Sequence, residues 1–161
     1  EEPLISDPYL AGGGYHEIKR GGLLKVHADF NKHPKLDLDR RLNMLIYLNK
    51  GWEQSWGGEL QLFDDDMSRP VQKILPVFNT AVIFTTTSFT YHGHPDPLNC
   101  PEERSRRSLA YYYFPTGRPN HETSTARHST LFKGRTGDDI GKPPNTSFKQ
   151  RLKQKFNKLP H

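Results

Sequence analysis

The feature that most constrains the fold is a succession of short apolar runs, separated by turn-forming residues and almost free of helical periodicity. The clearest run is 42–48, which has the length and the apolar content of a buried strand. Because Gly, Pro, Asn or Asp bound these runs, the sequence predicts a mainly β sandwich or barrel with little helix. The other predicted strands are 23–30, 59–63, 72–75, 81–86, 89–92 and 106–114.

The length of 161 residues indicates one folded domain. We expect residues 1–22 to form an N-terminal region of loop and short strand, and residues 23–117 to form the β core. Residues 118–161 are predicted to be a polar C-terminal extension, with a short basic helix over 148–159. The polar, proline-containing segment 31–39 is predicted to be a loop near the candidate metal ligands, where it could face a substrate as a lid.

Composition limits the cellular setting and the partners. Cys100 is the only cysteine, so no internal disulfide can form and a reducing, cytoplasmic location is expected. No apolar run approaches the roughly 18 residues of a membrane-spanning helix. The net charge of +5 suits an acidic partner. However, no nucleic-acid-binding motif accompanies the basic clusters, so nucleic acid is the less favoured partner. No feature of the sequence indicates an oligomeric state.

A candidate metal site begins with His27 and Asp29. Residues two apart on a strand project to the same face, so these side chains are expected to lie side by side. A second imidazole from the later cluster 91–94 would complete a group of two histidines and one carboxylate, which suits non-haem Fe(II). Such a group leaves three metal positions open for a cosubstrate and dioxygen. Taken alone, the His-x-Asp spacing also fits a surface strand with two polar side chains.

The strand 42–48 has two different faces. Leu42, Met44, Ile46 and Leu48 form a uniformly apolar face, which is predicted to be core. The opposite face mixes apolar and polar side chains and is predicted to line a cavity; its residues are Asn43, Leu45, Tyr47 and Asn49.

Several motifs follow one another in a fixed order over roughly residues 15–114. They are His27-Ala28-Asp29, Ile46-Tyr47-Leu48-Asn49, Trp52, Gly57-Gly58-Glu59-Leu60, Pro76, Asn79, His92 and Arg106. In this order the chain resembles the 2-oxoglutarate/Fe(II) dioxygenase superfamily, in its prolyl 4-hydroxylase-like branch. The resemblance implies a double-stranded β-helix, the jelly-roll barrel shared with cupins.

The resemblance also implies a catalytic group made of His27, Asp29, His92 and Arg106. The first three would be the iron ligands. His94 is the alternative to His92, because it lies two residues later on the same strand face. His92 is preferred because the small residue Gly93 follows it.

Arg106 would pair with the distal carboxylate of 2-oxoglutarate, a task that suits the planar guanidinium fork. Arg107 is the alternative, since neighbouring residues on a strand face opposite ways. Tyr47 would hydrogen-bond the same carboxylate, and Asn43 could assist from the same strand face. A core tyrosine with a satisfied hydroxyl is an equally good interpretation of Tyr47.

The implied activity is hydroxylation of a C–H bond with Fe(II), 2-oxoglutarate and O₂, supported by ascorbate. Succinate and CO₂ would be the coproducts. The branch implies a prolyl or other amino-acid side chain in a protein or peptide as substrate. Two alternatives stay open: a non-catalytic cupin-like binding domain, and an oxygenase of the same superfamily that acts on a small metabolite or nucleic acid.

Overall fold

The computed structural model describes residues 3–115 and 126–134, which contain ten β-strands and one short 3₁₀ turn at Gln54–Trp56. The strands are β1 Leu4–Ser6, β2 Gly14–Lys19, β3 Leu24–Ala28, β4 Leu42–Tyr47, β5 Leu60–Phe63, β6 Pro70–Ile74, β7 Ala81–Thr85, β8 His92–His94, β9 Ser105–Pro115 and β10 Leu131–Phe132.

The strands form two sheets in which every neighbouring pair is antiparallel. In the first sheet β9 pairs with β4 on one side, and with β1 and β2 on the other; β7 lies beyond β4. The second sheet has the order β10-β3-β8-β5-β6. This is a double-stranded β-helix, so the predicted fold class is confirmed.

The strand bounds agree with the sequence prediction to within one or two residues, except around β8. The predicted strand 89–92 is wrong, because Thr87 N donates to Thr90 Oγ1 at 2.8 Å and closes a turn just before the strand. His92 therefore opens β8 and His94 ends it. The N-terminal region contributes more than the predicted short strand, since Gly14–Lys19 pairs along the edge of β9.

Burial on β4 agrees with the prediction for one face and contradicts it for the other. Asn43 and Leu45 of the mixed face line an internal cavity, as predicted, but the apolar face is not the core. Asn43, Tyr47 and Asn49 are no more than 3% exposed, whereas Met44 and Ile46 are only partly buried. The prediction that the apolar face forms the core is therefore wrong. The mixed face is the buried one because hydrogen bonds satisfy its polar groups; Asn49, for example, donates to the carbonyls of Pro76 and Arg107.

Two apolar clusters lie beside the polar interior. Trp52, Leu98 and Cys100 form one, and Ala110, Tyr112 and Phe114 on β9 form the other. Trp52 also packs edge-on against Trp56 at 5.2 Å and donates its indole N–H to Gly57 O at 3.0 Å. These contacts stabilise the loop that leads into β5.

The predicted division at residues 22 and 117 stays a prediction. The basic helix predicted over 148–159 lies outside the described residues. Within 3–115 and 126–134, no helix has the length and apolar content required to cross a bilayer.

Candidate active site

Three side chains that can bind a metal meet between β3 and β8. His27 lies on β3, Asp29 follows the end of that strand, and His92 opens β8. His27 and His92 are direct partners across the strand pair, which places their ring centroids 4.5 Å apart. One metal-binding atom from each of the three residues lies within 4.8 Å of the other two. The strand register thus brings together residues that are distant in the sequence.

The donor atoms of this group fit a metal ion. His27 Nδ1 lies 2.8 Å from Lys25 O; a carbonyl only accepts, so Nδ1 carries a hydrogen, and in the neutral ring Nε2 is the nitrogen with the lone pair. Nε2 of His27 and of His92 lie 3.6 and 3.4 Å from the two Asp29 carboxylate oxygens. Two ligands at right angles around an ion, each at about 2.1 Å, would lie about 3 Å apart. Two imidazoles and one carboxylate form a donor set typical of non-haem Fe(II).

Burial and charge set the protonation of the group. Burial by itself raises the pKa of Asp29, but His92, Arg40 and His27 outweigh it and hold this pKa well below its usual range. Burial lowers the pKa of His92 to about 4, although the Asp29 charge opposes this effect. At neutral pH the carboxylate is therefore ionised and the imidazole neutral, which is the protonation state that binds a metal.

A buried network of polar side chains, formed by Asn43 and Arg40, contacts the Asp29 carboxylate. Asn43 Nδ2 donates to Asp29 Oδ2 at 2.8 Å, and Asn43 Oδ1 accepts from Nε and Nη2 of Arg40 at 3.0 and 2.8 Å. Arg40 Nη2 also lies 3.2 Å from Asp29 Oδ2. The guanidinium packs over the rings of Phe30 and Tyr112, at 4.4 and 3.5 Å from their centroids.

This network corrects one sequence expectation and adds a residue that sequence reasoning missed. Asn43 was expected to assist at the distal carboxylate of the cosubstrate, but both ends of its amide are engaged by Asp29 and Arg40. Arg40 is only 2% exposed. In the sequence it stands beside Arg41 at the end of a polar segment without periodicity, which is typical of a surface position.

A buried cation lies in the same cavity. Arg106 is 5% exposed, donates from Nε to Gly58 O at 2.8 Å, and contacts the Tyr47 hydroxyl through Nη2 at 3.3 Å. Any Cβ on Gly58 would come within 3.1 Å of the arginine side chain and 2.6 Å of Leu98, so a glycine is needed here. Among the described residues, none of the ion pairs involves Arg106. A buried guanidinium without a carboxylate is suited to an anionic ligand.

The register of β9 decides which of the two neighbouring arginines enters the cavity. Arg107 faces outward and pairs with Glu17 at 3.3 Å, so only Arg106 reaches the interior. Tyr47 is fully buried, and burial raises the pKa of its hydroxyl. The hydroxyl therefore stays protonated and can donate to a ligand while it accepts from Arg106.

His94 lies in the cavity but outside the metal-binding group. It is 2% exposed. Burial, followed by the charges of Arg106 and His27, lowers the pKa of His94 to about 3, so the imidazole is neutral near pH 7.

The cavity joins these features within one space of about 80 Å³. The His-Asp-His group and the Arg106 guanidinium both belong to its wall. Apolar side chains fill much of the remaining wall, and they include Ile18, Leu24, Leu45, Leu60 and Phe84. The arrangement can hold a metal ion together with a small anion, shielded from bulk water.

Comparison with known proteins gives a family match over most of the described core. The family model described as the 2OG-Fe(II) oxygenase superfamily matches residues 13–114. A mouse protein, prolyl 3-hydroxylase OGFOD1, is 30% identical over 79 residues, which are 47% of this chain and 14% of the mouse protein.

Three solved structures are also similar. A Pseudomonas putida prolyl-4-hydroxylase is 24% identical with a TM-score of 0.47, over 65% of this chain and 52% of that one. A Trichoplax adhaerens prolyl hydroxylase, in complex with a hypoxia inducible factor oxygen degradation domain peptide fragment, is 25% identical with a TM-score of 0.49, over 62% and 41%. A Phytophthora capsici prolyl 4-hydroxylase is 27% identical with a TM-score of 0.47, over 63% and 31%. The chain thus spans about half of these proteins at most.

Proposed function

The chain belongs to the 2OG-Fe(II) oxygenase superfamily, and we propose that it hydroxylates a prolyl or other amino-acid side chain in a protein or peptide. The observation that carries this proposal is one cavity with two matched features. A His27, Asp29 and His92 group can hold Fe(II), and the buried cation Arg106 lacks an anionic partner among the described residues.

His27, Asp29 and His92 would hold the metal. When bound, Fe(II) supplies the activation of O₂ and the coupled oxidation of 2-oxoglutarate to succinate and CO₂. The chain's own contribution is orientation: Lys25 O fixes the tautomer of His27, and Asn43 fixes the Asp29 carboxylate. Removing a supporting contact of this kind typically lowers metal affinity by about 10- to 100-fold.

Arg106 and Tyr47 would hold the distal carboxylate of 2-oxoglutarate. The guanidinium offers a charge-assisted pair, and the Tyr47 hydroxyl can donate to the same anion. Because both side chains are buried, water competes weakly for these contacts. This anchoring would keep the other end of the cosubstrate directed toward the metal group.

The relatives support the proposed substrate class. The similarity to the mouse prolyl 3-hydroxylase supports a prolyl side chain as the first candidate. We propose a peptide or protein rather than a free amino acid, because the branch that the motifs resemble acts on polypeptides.

A turnover assay tests the function. The chain is incubated with Fe(II), 2-oxoglutarate, ascorbate and a library of proline-containing peptides, and succinate release is followed. Products are sought by mass spectrometry as peptides heavier by one oxygen atom. Succinate and oxidised peptide are expected with the wild type, and neither is expected with His27→Ala or Asp29→Ala, provided that circular dichroism shows an unchanged fold. A wild type that releases no succinate with any peptide of the library would instead indicate a non-catalytic barrel.

A further inference from the structure

His94 is a buried histidine whose hydrogen-bonding capacity is unused. Its side chain is 2% exposed, and neither Nδ1 nor Nε2 has a hydrogen-bond partner among the residues that the structure describes. Buried polar groups are normally hydrogen-bonded, because an unpaired one forfeits its hydration without compensation. A ligand that accepts a hydrogen bond from the imidazole would compensate for this lost hydration.

The position of His94 explains why none of the residues that the structure describes is its hydrogen-bond partner. It ends β8 opposite Leu24 of β3, and the register between β5 and β8 places Leu60 on its other side. Both neighbours are apolar and line the same cavity. Neither cross-strand neighbour therefore offers a hydrogen-bonding side chain to the imidazole.

The strand registers place His94 on the side of the cavity away from the metal group. It lies two residues beyond His92, a rise of about 6.6 Å along a strand. Asn43, which contacts Asp29, pairs with Tyr112 on β9, and Arg106 lies six residues earlier on that strand. His94 and Arg106 thus share the part of the cavity that is remote from Asp29.

Arg106 alone leaves part of an anion unsatisfied. Its Nε is committed to Gly58 O at 2.8 Å, so a carboxylate must approach the outer edge of the guanidinium. A carboxylate has about four lone-pair sites; a guanidinium edge fills two of them, and the Tyr47 hydroxyl can fill a third. In a buried site the remaining lone pair needs a further donor. A neutral imidazole carries one N–H donor.

We propose that His94 donates a hydrogen bond to the distal carboxylate of 2-oxoglutarate, beside the ion pair made by Arg106. This inference rests on the proposed function, since it requires 2-oxoglutarate to occupy the cavity. His94 would then be a binding residue that favours dicarboxylate cosubstrates over 2-oxo acids without a second carboxylate.

Binding measurements on the full chain test this inference without turnover. Calorimetric titration of Mn(II)-loaded protein compares 2-oxoglutarate with 2-oxopentanoate, which has the same carbon chain but no distal carboxylate. His94→Phe should weaken 2-oxoglutarate roughly tenfold or more, the usual effect of losing a hydrogen bond to a charged group. It should leave 2-oxopentanoate and Mn(II) affinity unchanged. His94→Gln, which keeps a donor, should retain most of the affinity.

The same titrations distinguish failure of the proposed role of His94 from failure of the proposed function. If Arg106→Gln abolishes 2-oxoglutarate binding while His94→Phe binds it as tightly as the wild type, the role of His94 is overturned and the proposed function stands. Equal weakening of both 2-oxo acids would also overturn it, because His94 would then act only on the shape of the cavity. A wild type that binds Mn(II) but no 2-oxoglutarate would overturn the proposed function itself. His94→Leu, which matches the apolar neighbours, serves as the second variant if His94→Phe does not fold.

Discussion

At the scale of single residues, the Asp29 carboxylate is the most heavily supported member of the candidate metal group. One of its oxygens accepts a 2.8 Å hydrogen bond from Asn43 and lies 3.2 Å from Arg40. The same Arg40 is fixed by Asn43 and by two aromatic rings. The carboxylate is therefore held in one orientation before any metal arrives.

Removing the amide should loosen this orientation. We expect Asn43→Ala to lower metal affinity by about 10- to 100-fold, the usual range for a residue that orients a metal ligand. Mn(II) titration with the full chain measures this affinity. Gln72→Ala, at an exposed position on β6, is the matched control and should change nothing. An Asn43→Ala variant with wild-type affinity would contradict a positioning role.

At the scale of the element, the register of β9 decides which arginine enters the cavity. Arg106 is buried, while its neighbour Arg107 pairs with Glu17 on the outer side of the sheet. The two positions form a natural pair for comparison, because they differ in the direction of the side chain and not in its chemistry.

Arg106→Gln should weaken 2-oxoglutarate by about 1.5–3 kcal/mol, the effect of losing a hydrogen-bonded charged partner. Arg107→Gln should change affinity by less than a few tenths of a kcal/mol, since exposed ion pairs contribute little. Calorimetry on the metal-loaded chain compares them. A larger effect of Arg107→Gln would show that β9 binds its ligand from the other face.

The loop 31–39, predicted to lie near the metal ligands, is held to the segment that follows β1. His33 is fully buried; its Nε2 lies 3.0 Å from Asp7, and its Nδ1 accepts from the backbone N–H groups of Lys35 and Leu36 at 3.1 and 3.0 Å. The Asp7 carboxylate also accepts backbone N–H groups of the segment that follows β1. One imidazole thus joins the loop to the N-terminal segment.

His33→Phe should release this loop. We expect the amides of Lys35 and Leu36 to lose about 1–3 kcal/mol of protection, because the ring acceptor is removed. Hydrogen exchange followed by mass spectrometry measures this protection. Amides of the β4–β9 ladder should keep their protection in the same variant. Loss of protection throughout the chain would instead mean that His33 supports the whole fold.

At the scale of the whole molecule, the polar residues of the site lie in the interior between the two sheets. His92 and His94 are both nearly inaccessible, and burial is the main cause that lowers their pKa values to about 4 and about 3. In the unfolded chain a histidine titrates near pH 6.5. Between pH 6.5 and 4 the unfolded state therefore binds more protons than the folded state.

The metal-free protein should consequently lose stability as the pH falls from 6.5 toward 4. Each of the two histidines should remove about 2 kcal/mol by pH 5, because 1.5 pH units below 6.5 correspond to that free energy. Urea unfolding in the presence of a chelator, at pH 7.5, 6 and 5, measures the loss. His94→Phe should halve the slope. Equal stability at pH 7.5 and pH 5 would contradict the burial of neutral histidines.

Much of this arrangement could be predicted from local sequence. Strand periodicity indicated the β architecture, and a resemblance in motif order selected His27, Asp29, His92 and Arg106. The structure brings these four side chains to one cavity. Their directions could be predicted because side chains alternate between the two faces of a strand, so the spacing of two residues shows whether they share a face. The segment 31–41 has no such period, so the burial of Arg40 and His33 could not be predicted from the sequence.

The sequence by itself determined most strands of the core and which residue types could meet at a metal. Only the tertiary structure decided that the apolar face of β4 is only partly buried and that Asn43 supports Asp29. It also decided that His94 lies in the same cavity as Arg106, without a hydrogen-bond partner among the described residues. The physical reason is that burial and hydrogen-bond partners depend on what the opposite sheet brings near. Periodicity predicts the strand face to which a side chain points, but the hydrogen-bond partner of that side chain is often a residue far away in the sequence.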